Sequence, residues 1–148
     1  MKTKKTITIC SSAAFYKHAL ECMEALEARG YKVIVPSTAN KMRETGNYKE
    51  MDYKTWYENE DDFAHKTRLM DAHFTAVAES DAILVVNDKK HGIEGYIGPN
   101  VLMEMAVAYF LKKPIFVLNK VGRDANVYEE VVGLGCNILE GSVANIKV

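Results

Sequence analysis

The sequence predicts a doubly wound α/β fold, a mostly parallel sheet of about five strands between two layers of helices. Two observations carry this reading. Short β-branched or aliphatic runs alternate along the whole chain with longer segments whose apolar residues recur every three or four positions. The run at 115–118 is apolar at every position, as in a parallel strand buried on both faces.

Residues 6–10 alternate as a strand, and residues 13–29 place Phe15, Ala19, Met23 and Leu26 on one helical stripe. Gly30 ends that helix, and residues 31–35 form a second strand stopped by Pro36. A right-handed crossover then makes the two strands parallel. Residues 59–80 give the next helix, with Phe63, Thr67, Met70, Phe74 and Val77 along its apolar stripe, running into a third strand at 82–86. After a glycine-rich loop, residues 101–111 are helical, Lys113-Pro114 breaks the helix, and the strand at 115–118 follows. A short helix at 127–132 and an edge strand at 136–139 complete the pattern. The result is a three-layer α/β/α arrangement, flavodoxin-like or Rossmann-like, expected to form a single domain over residues 1–148.

Composition narrows the function. The 148 residues carry a formal charge of −1, which removes the bulk attraction that draws proteins to nucleic acid polymers or anionic lipid. No apolar run reaches the roughly 18 residues of a membrane span, so neither a membrane nor a nucleic acid partner is expected, and the reading is cytoplasmic. Cys10, Cys22 and Cys136 lack a paired Cys-x-x-Cys spacing, and the four histidines lack a His-x-x-x-His pair with a third ligand. Reduced thiols and no metal site are expected. The first strand leads into Cys10-Ser11-Ser12 rather than Gly-x-Gly-x-x-Gly, and no Walker sequence occurs, so no nucleotide cofactor is expected either.

In such sheets ligands bind beyond the carboxyl ends of the strands, where strand order reverses. That rule selects residues 10–15, 36–45, 87–100 and 119–124. The most informative stretch is His91-Gly92-Ile93-Glu94-Gly95-Tyr96-Ile97-Gly98-Pro99-Asn100. Its three glycines permit positive φ and close approach to a ligand, and Pro99 suits the first turn of a helix whose free amides favour an anion. Glu104 lies about one turn further on, in an otherwise almost wholly apolar segment, where a carboxylate needs partners or a task. It either faces a pocket or sits on the exposed side, favoured by the helix dipole. Ser11 and Ser12 are suited equally to phosphate binding and to helix capping. The polar stretch 36–58, with Tyr48, Tyr53, Trp56 and Tyr57, is too long for an ordinary connection; it is either an aromatic lid or a short amphipathic helix, the second being the simpler reading.

Ile9-Cys10-Ser11-Ser12 with Phe15, the strand Ser80-Asp81-Ala82-Ile83-Leu84-Val85-Val86-Asn87, and Gly95-Tyr96-Ile97-Gly98 running to Glu104 and Lys113-Pro114 resemble the nucleoside 2-deoxyribosyltransferase family. The resemblance, which extends to related nucleotide hydrolases, covers most of the chain. It implies cleavage of a base–sugar bond in a small-molecule nucleoside or nucleotide, by hydrolysis or transfer, with Glu104 as the attacking carboxylate. It also implies a homo-oligomer in which a neighbouring subunit helps to close the pocket. Three positions depart from the family pattern. An aspartate that assists the leaving base is replaced by His73, an acid or phosphate-binding serine by Gly98, and a first-strand tyrosine by Thr8.

An imidazole can protonate a departing base, so His73 joins Glu104 as the catalytic pair; the alternative is a histidine that packs beside Phe74. Ser11, Ser12, Phe15, Asn87, Gly95, Tyr96, Gly98 and Asn100 are the substrate-binding candidates. The competing function is a non-catalytic module that binds or senses a nucleotide on the same fold.

Overall fold

The computed structural model describes residues 2–148. The chain runs β1 (Thr6–Ser11), α1 (Tyr16–Ala28), β2 (Lys32–Ile34), α2 (Ser37–Thr45), α3 (Phe63–Glu79), β3 (Ala82–Val86), α4 (Pro99–Phe110), β4 (Ile115–Val117), α5 (Tyr128–Gly133) and β5 (Asn137–Ile138). The sheet order is β2-β1-β3-β4-β5 and every pairing is parallel. This is the doubly wound flavodoxin-like order, and its reversal point lies between β1 and β3.

The two-residue period of the strands sorts their side chains into two cores. Ile7, Ile9, Leu84, Val86 and Phe116 face one layer, where Ala19, Leu20, Met23 and Leu26 of α1 meet them. Cys10, Ile83, Val85, Ile115 and Val117 face the other, against Val77 of α3, Val101, Met105 and Ala108 of α4, and Val131 of α5. Both faces of β3 are covered, and all five of its residues are buried.

The predicted stripe of α3 differs from the observed one. Only Val77 is fully buried, and Phe63 is 48% exposed. This helix packs against α4 along its side and turns its middle toward a cavity, so its larger residues are wall rather than core.

Residues 36–58 contain the helix α2, closed by Gly46 in the left-handed conformation with its N–H bonded to the Met42 carbonyl. Beyond it come 3-10 turns at Glu50–Asp52, Thr55–Tyr57 and Glu60–Asp62. A 3-10 turn at Val143–Asn145, absent from the sequence reading, brings Ile146 to full burial, while Arg29 donates to the carbonyls of Val143 and Ile146 at 2.6 and 2.9 Å. Among the described residues, no helix is long and apolar enough to cross a membrane.

Candidate functional site

A cavity of about 650 Å³ opens beside the carboxyl ends of β1 and β2 and the loop that follows β3, within the size range of small-molecule sites. Its walls come from the β1 terminus, α1, the 36–58 segment, the glycine loop, α3 and α4.

The loop after β3 is built in three steps. Lys90 and Ile93 exchange backbone hydrogen bonds across His91 and Gly92, both at positive φ (53° and 73°), which is a hairpin turn of the primed type. Gly95 at φ 65° presses its backbone against β4's outgoing chain: a Cβ there would stand 2.3 Å from the Lys120 carbonyl oxygen. Gly98 caps α4 at φ −82°, a conformation open to any residue, so the expectation that all three glycines serve positive φ fails at this one. Pro99 occupies the first turn of α4 as expected.

Seven of the ten candidates line the cavity: Ser11, Ser12, His73, Tyr96, Gly98, Asn100 and Glu104. Phe15, Asn87 and Gly95 do not. Phe15 is a core residue with its ring edge-on to Tyr96, 6.5 Å between centroids. Asn87 is fully buried in a reciprocal pair with Asn119. Its amide donates to the carbonyls of Asn119 (2.8 Å) and Gly95 (3.2 Å), and its oxygens accept from the Asn119 backbone N–H (2.9 Å) and side-chain amide (3.1 Å). That arrangement ties the ends of β3 and β4 to the glycine loop, with Gly95 as the point of closest approach.

The serines do not cap. Neither Ser12, at the start of the 3-10 turn, nor any side chain satisfies the amides there; Ser11 donates to the Ser12 carbonyl, and Ser12 Oγ accepts from Lys90 Nζ at 3.1 Å. Lys90 also reaches Glu50 at 3.3 Å, and Lys54 meets the same carboxylate at 3.2 Å. Burial works to raise the Glu50 pKa, but the two lysines outweigh it and hold the carboxyl below its ordinary range. This cluster fastens the 36–58 segment over the cavity. Trp56, nearly buried, and Tyr53 and Tyr57 face the cavity, whereas Tyr48 packs on the core. Lys66 lies with its ammonium 5.5 Å from the Trp56 ring centre, and its pKa is lowered by burial and by Lys54.

Glu104 is 8% exposed, so it is not on the solvent side of α4. His73 Nε2, from α3, stands 3.3 Å from Glu104 Oε2, with both side chains about nine-tenths buried. The approach lacks hydrogen-bond alignment, and neither atom has a hydrogen-bond partner among the described residues. Leaving two buried polar atoms unpaired costs stability, a mark of a site that serves a ligand or a reaction.

Two neighbours of Glu104 escaped the sequence reading. Cys10, at the end of β1, is fully buried, and its thiol pKa is raised well above the usual value by burial and then by the Glu104 charge. Tyr16, in the first turn of α1, lines the cavity, and its hydroxyl pKa is raised by burial and by the same carboxylate. Thr8 is engaged elsewhere, bonded to Ser80 and to the Ala76 carbonyl. No local motif announces Cys10 or Tyr16, because only the crossing of β1, α1, α3 and α4 brings them to Glu104.

No family model matches the chain, and no curated protein matches it significantly. Among solved structures, the chain is similar to the CMP N-glycosidase BcmB of Clostridium botulinum, at 17% identity and a TM-score of 0.49, over 90% of this chain and 85% of that one. The likeness carries over no residue role.

Proposed function

We propose that the chain is a nucleoside or nucleotide N-glycosidase, with Glu104 as nucleophile and His73 as acid and base. The observation that carries this reading is the apposition of His73 Nε2 and Glu104 Oε2 at 3.3 Å in the cavity wall, both lacking hydrogen-bond partners among the described residues. The sequence resemblance to enzymes that use a glutamate at the Glu104 position supports it further.

The chemistry runs in two displacements. The Glu104 carboxylate attacks the anomeric carbon of the sugar, and the carbon–nitrogen bond breaks with its electron pair leaving on the base. The His73 imidazolium gives that base a proton. Water, losing a proton to the now neutral His73, then attacks the same carbon and frees the Glu104 carboxylate. A second base in place of water gives transfer. Lys66 and the free amides in the first turn of α4 favour an anionic group on the substrate, which argues for a nucleoside monophosphate over a nucleoside. The aromatic wall of Tyr53, Trp56 and Tyr57 offers stacking surface to a base.

The test is incubation with a panel of nucleosides and nucleoside monophosphates, with free base followed by chromatography and binding by thermal shift. Release of base supports the reading. A thermal shift without release assigns the non-catalytic binding module instead.

A further inference from the structure

We propose that Cys10, His73 and Glu104 form a zinc site whose occupancy blocks the Glu104 carboxylate. One ligating atom from each residue lies within 4.8 Å of the other two. A tetrahedral Zn²⁺ holds sulfur, nitrogen and oxygen ligands about 3.3–3.6 Å apart. His73 Nε2 and Glu104 Oε2 already stand at 3.3 Å, so the thiol is the ligand that has to draw in.

Three features favour the ion. The imidazole nitrogen and carboxylate oxygen have no hydrogen-bond partner among the described residues, and a metal would satisfy both. Zn²⁺ with a Cys10 thiolate, a Glu104 carboxylate and a neutral His73 imidazole has no net charge, so the ion offsets the repulsion between thiolate and carboxylate that metal binding would otherwise create. The thiol proton passes to solvent on binding. The donor set selects among ions as well, since a thiolate and an imidazole suit zinc and exclude magnesium and calcium. His73 and Glu104 line the cavity, so a fourth coordination position is left on the cavity side for water or a ligand oxygen.

Sequence spacing could not reveal such a site, because its members come from β1, α3 and α4. Binding does not rest on the glycosidase reading; only the inhibition does, because a carboxylate oxygen held by the metal cannot attack a sugar.

The test uses the full chain freed of metal by chelation. Titration with Zn²⁺ followed by calorimetry should give one equivalent bound, weakened at least tenfold in Cys10→Ser and in His73→Ala. Titration with Co²⁺ should produce a thiolate charge-transfer band in the near ultraviolet, present in Cys22→Ser and Cys136→Ser and lost in Cys10→Ser. The cobalt spectrum of the native chain decides the matter even if Cys10→Ser does not fold. Stoichiometric binding without the thiolate band, or affinity unchanged in both Cys10→Ser and His73→Ala, overturns the proposal. In a base-release assay, Zn²⁺ should inhibit the native chain at concentrations that leave Cys10→Ser at its own zinc-free rate. Metal binding with no base release under any condition leaves the zinc site standing and removes the glycosidase reading; base release with no thiolate band does the reverse.

Discussion

His73 on α3 and Glu104 on α4 face each other at 3.3 Å across the cavity wall without a hydrogen bond between them. They project from two helices that pack on each other, so the apposition is set by the α3–α4 contact. A pair positioned in this way is ready for a substrate placed between or beside it, because no internal bond has to break first.

Replacing His73 by Asn keeps much of the size and polarity of the side chain and removes the proton transfer. Base release should slow by about 10²–10⁴ while the binding of the same nucleotide, measured by calorimetry, changes little. A fall in affinity that matches the fall in rate would make His73 a binding residue instead.

Gly95 and Gly92 both have positive φ but differ in surroundings, which separates strain from clash. A Cβ at Gly92 meets nothing within 4 Å, so Gly92→Ala should cost only the left-handed penalty, about 1–2 kcal/mol. At Gly95 the Lys120 carbonyl oxygen would be 2.3 Å away, and Gly95→Ala should cost about 2–5 kcal/mol. Urea unfolding midpoints check the difference, which vanishes if the loop is free to shift away from β4.

Asn87→Ala removes the bonds that join the ends of β3 and β4 to the glycine loop. A loss of about 2–4 kcal/mol is expected, since the backbone N–H and carbonyl of Asn119 and the Gly95 carbonyl lose their partner. Denaturant unfolding measures it.

The tie between Glu50 and its two lysines predicts a pH response. A carboxyl held below its ordinary value of 4.5 contributes fully above that value, and its contribution is lost as pH falls through the lower value of the folded state. Trp56, the single tryptophan, reports on the same segment. Its quenching by acrylamide should stay constant at neutral pH and rise below about 4.5 in the native chain, and should already be raised at pH 7 in Glu50→Gln. Equal quenching at pH 7 would show that the segment is held by packing alone.

Strand and helix periodicities made most of the sheet legible: the third strand was placed at 82–86, where it is found, and the turn chemistry of Gly92 and Pro99 was readable from the residues themselves. Glu104 stood out because a carboxylate in an apolar helix demands an explanation. Asn87 and Gly95 were assigned to ligand because their neighbours in space, Asn119 and Lys120, follow a different strand. The choice between capping and ligand binding at Ser11 and Ser12 stays open in the sequence because no local pattern pairs Ser12 with Lys90. Cys10 gained its significance only from α3 and α4, whose approach to β1 is a tertiary fact.

The role of Glu104 is decided by the rate of base release from Glu104→Ala against the native chain, on a nucleotide that the native chain cleaves. With Glu104 as nucleophile, the variant should release base at least about a thousandfold more slowly while remaining folded by circular dichroism. Release at the native rate from the folded variant would show that Glu104 is not the nucleophile.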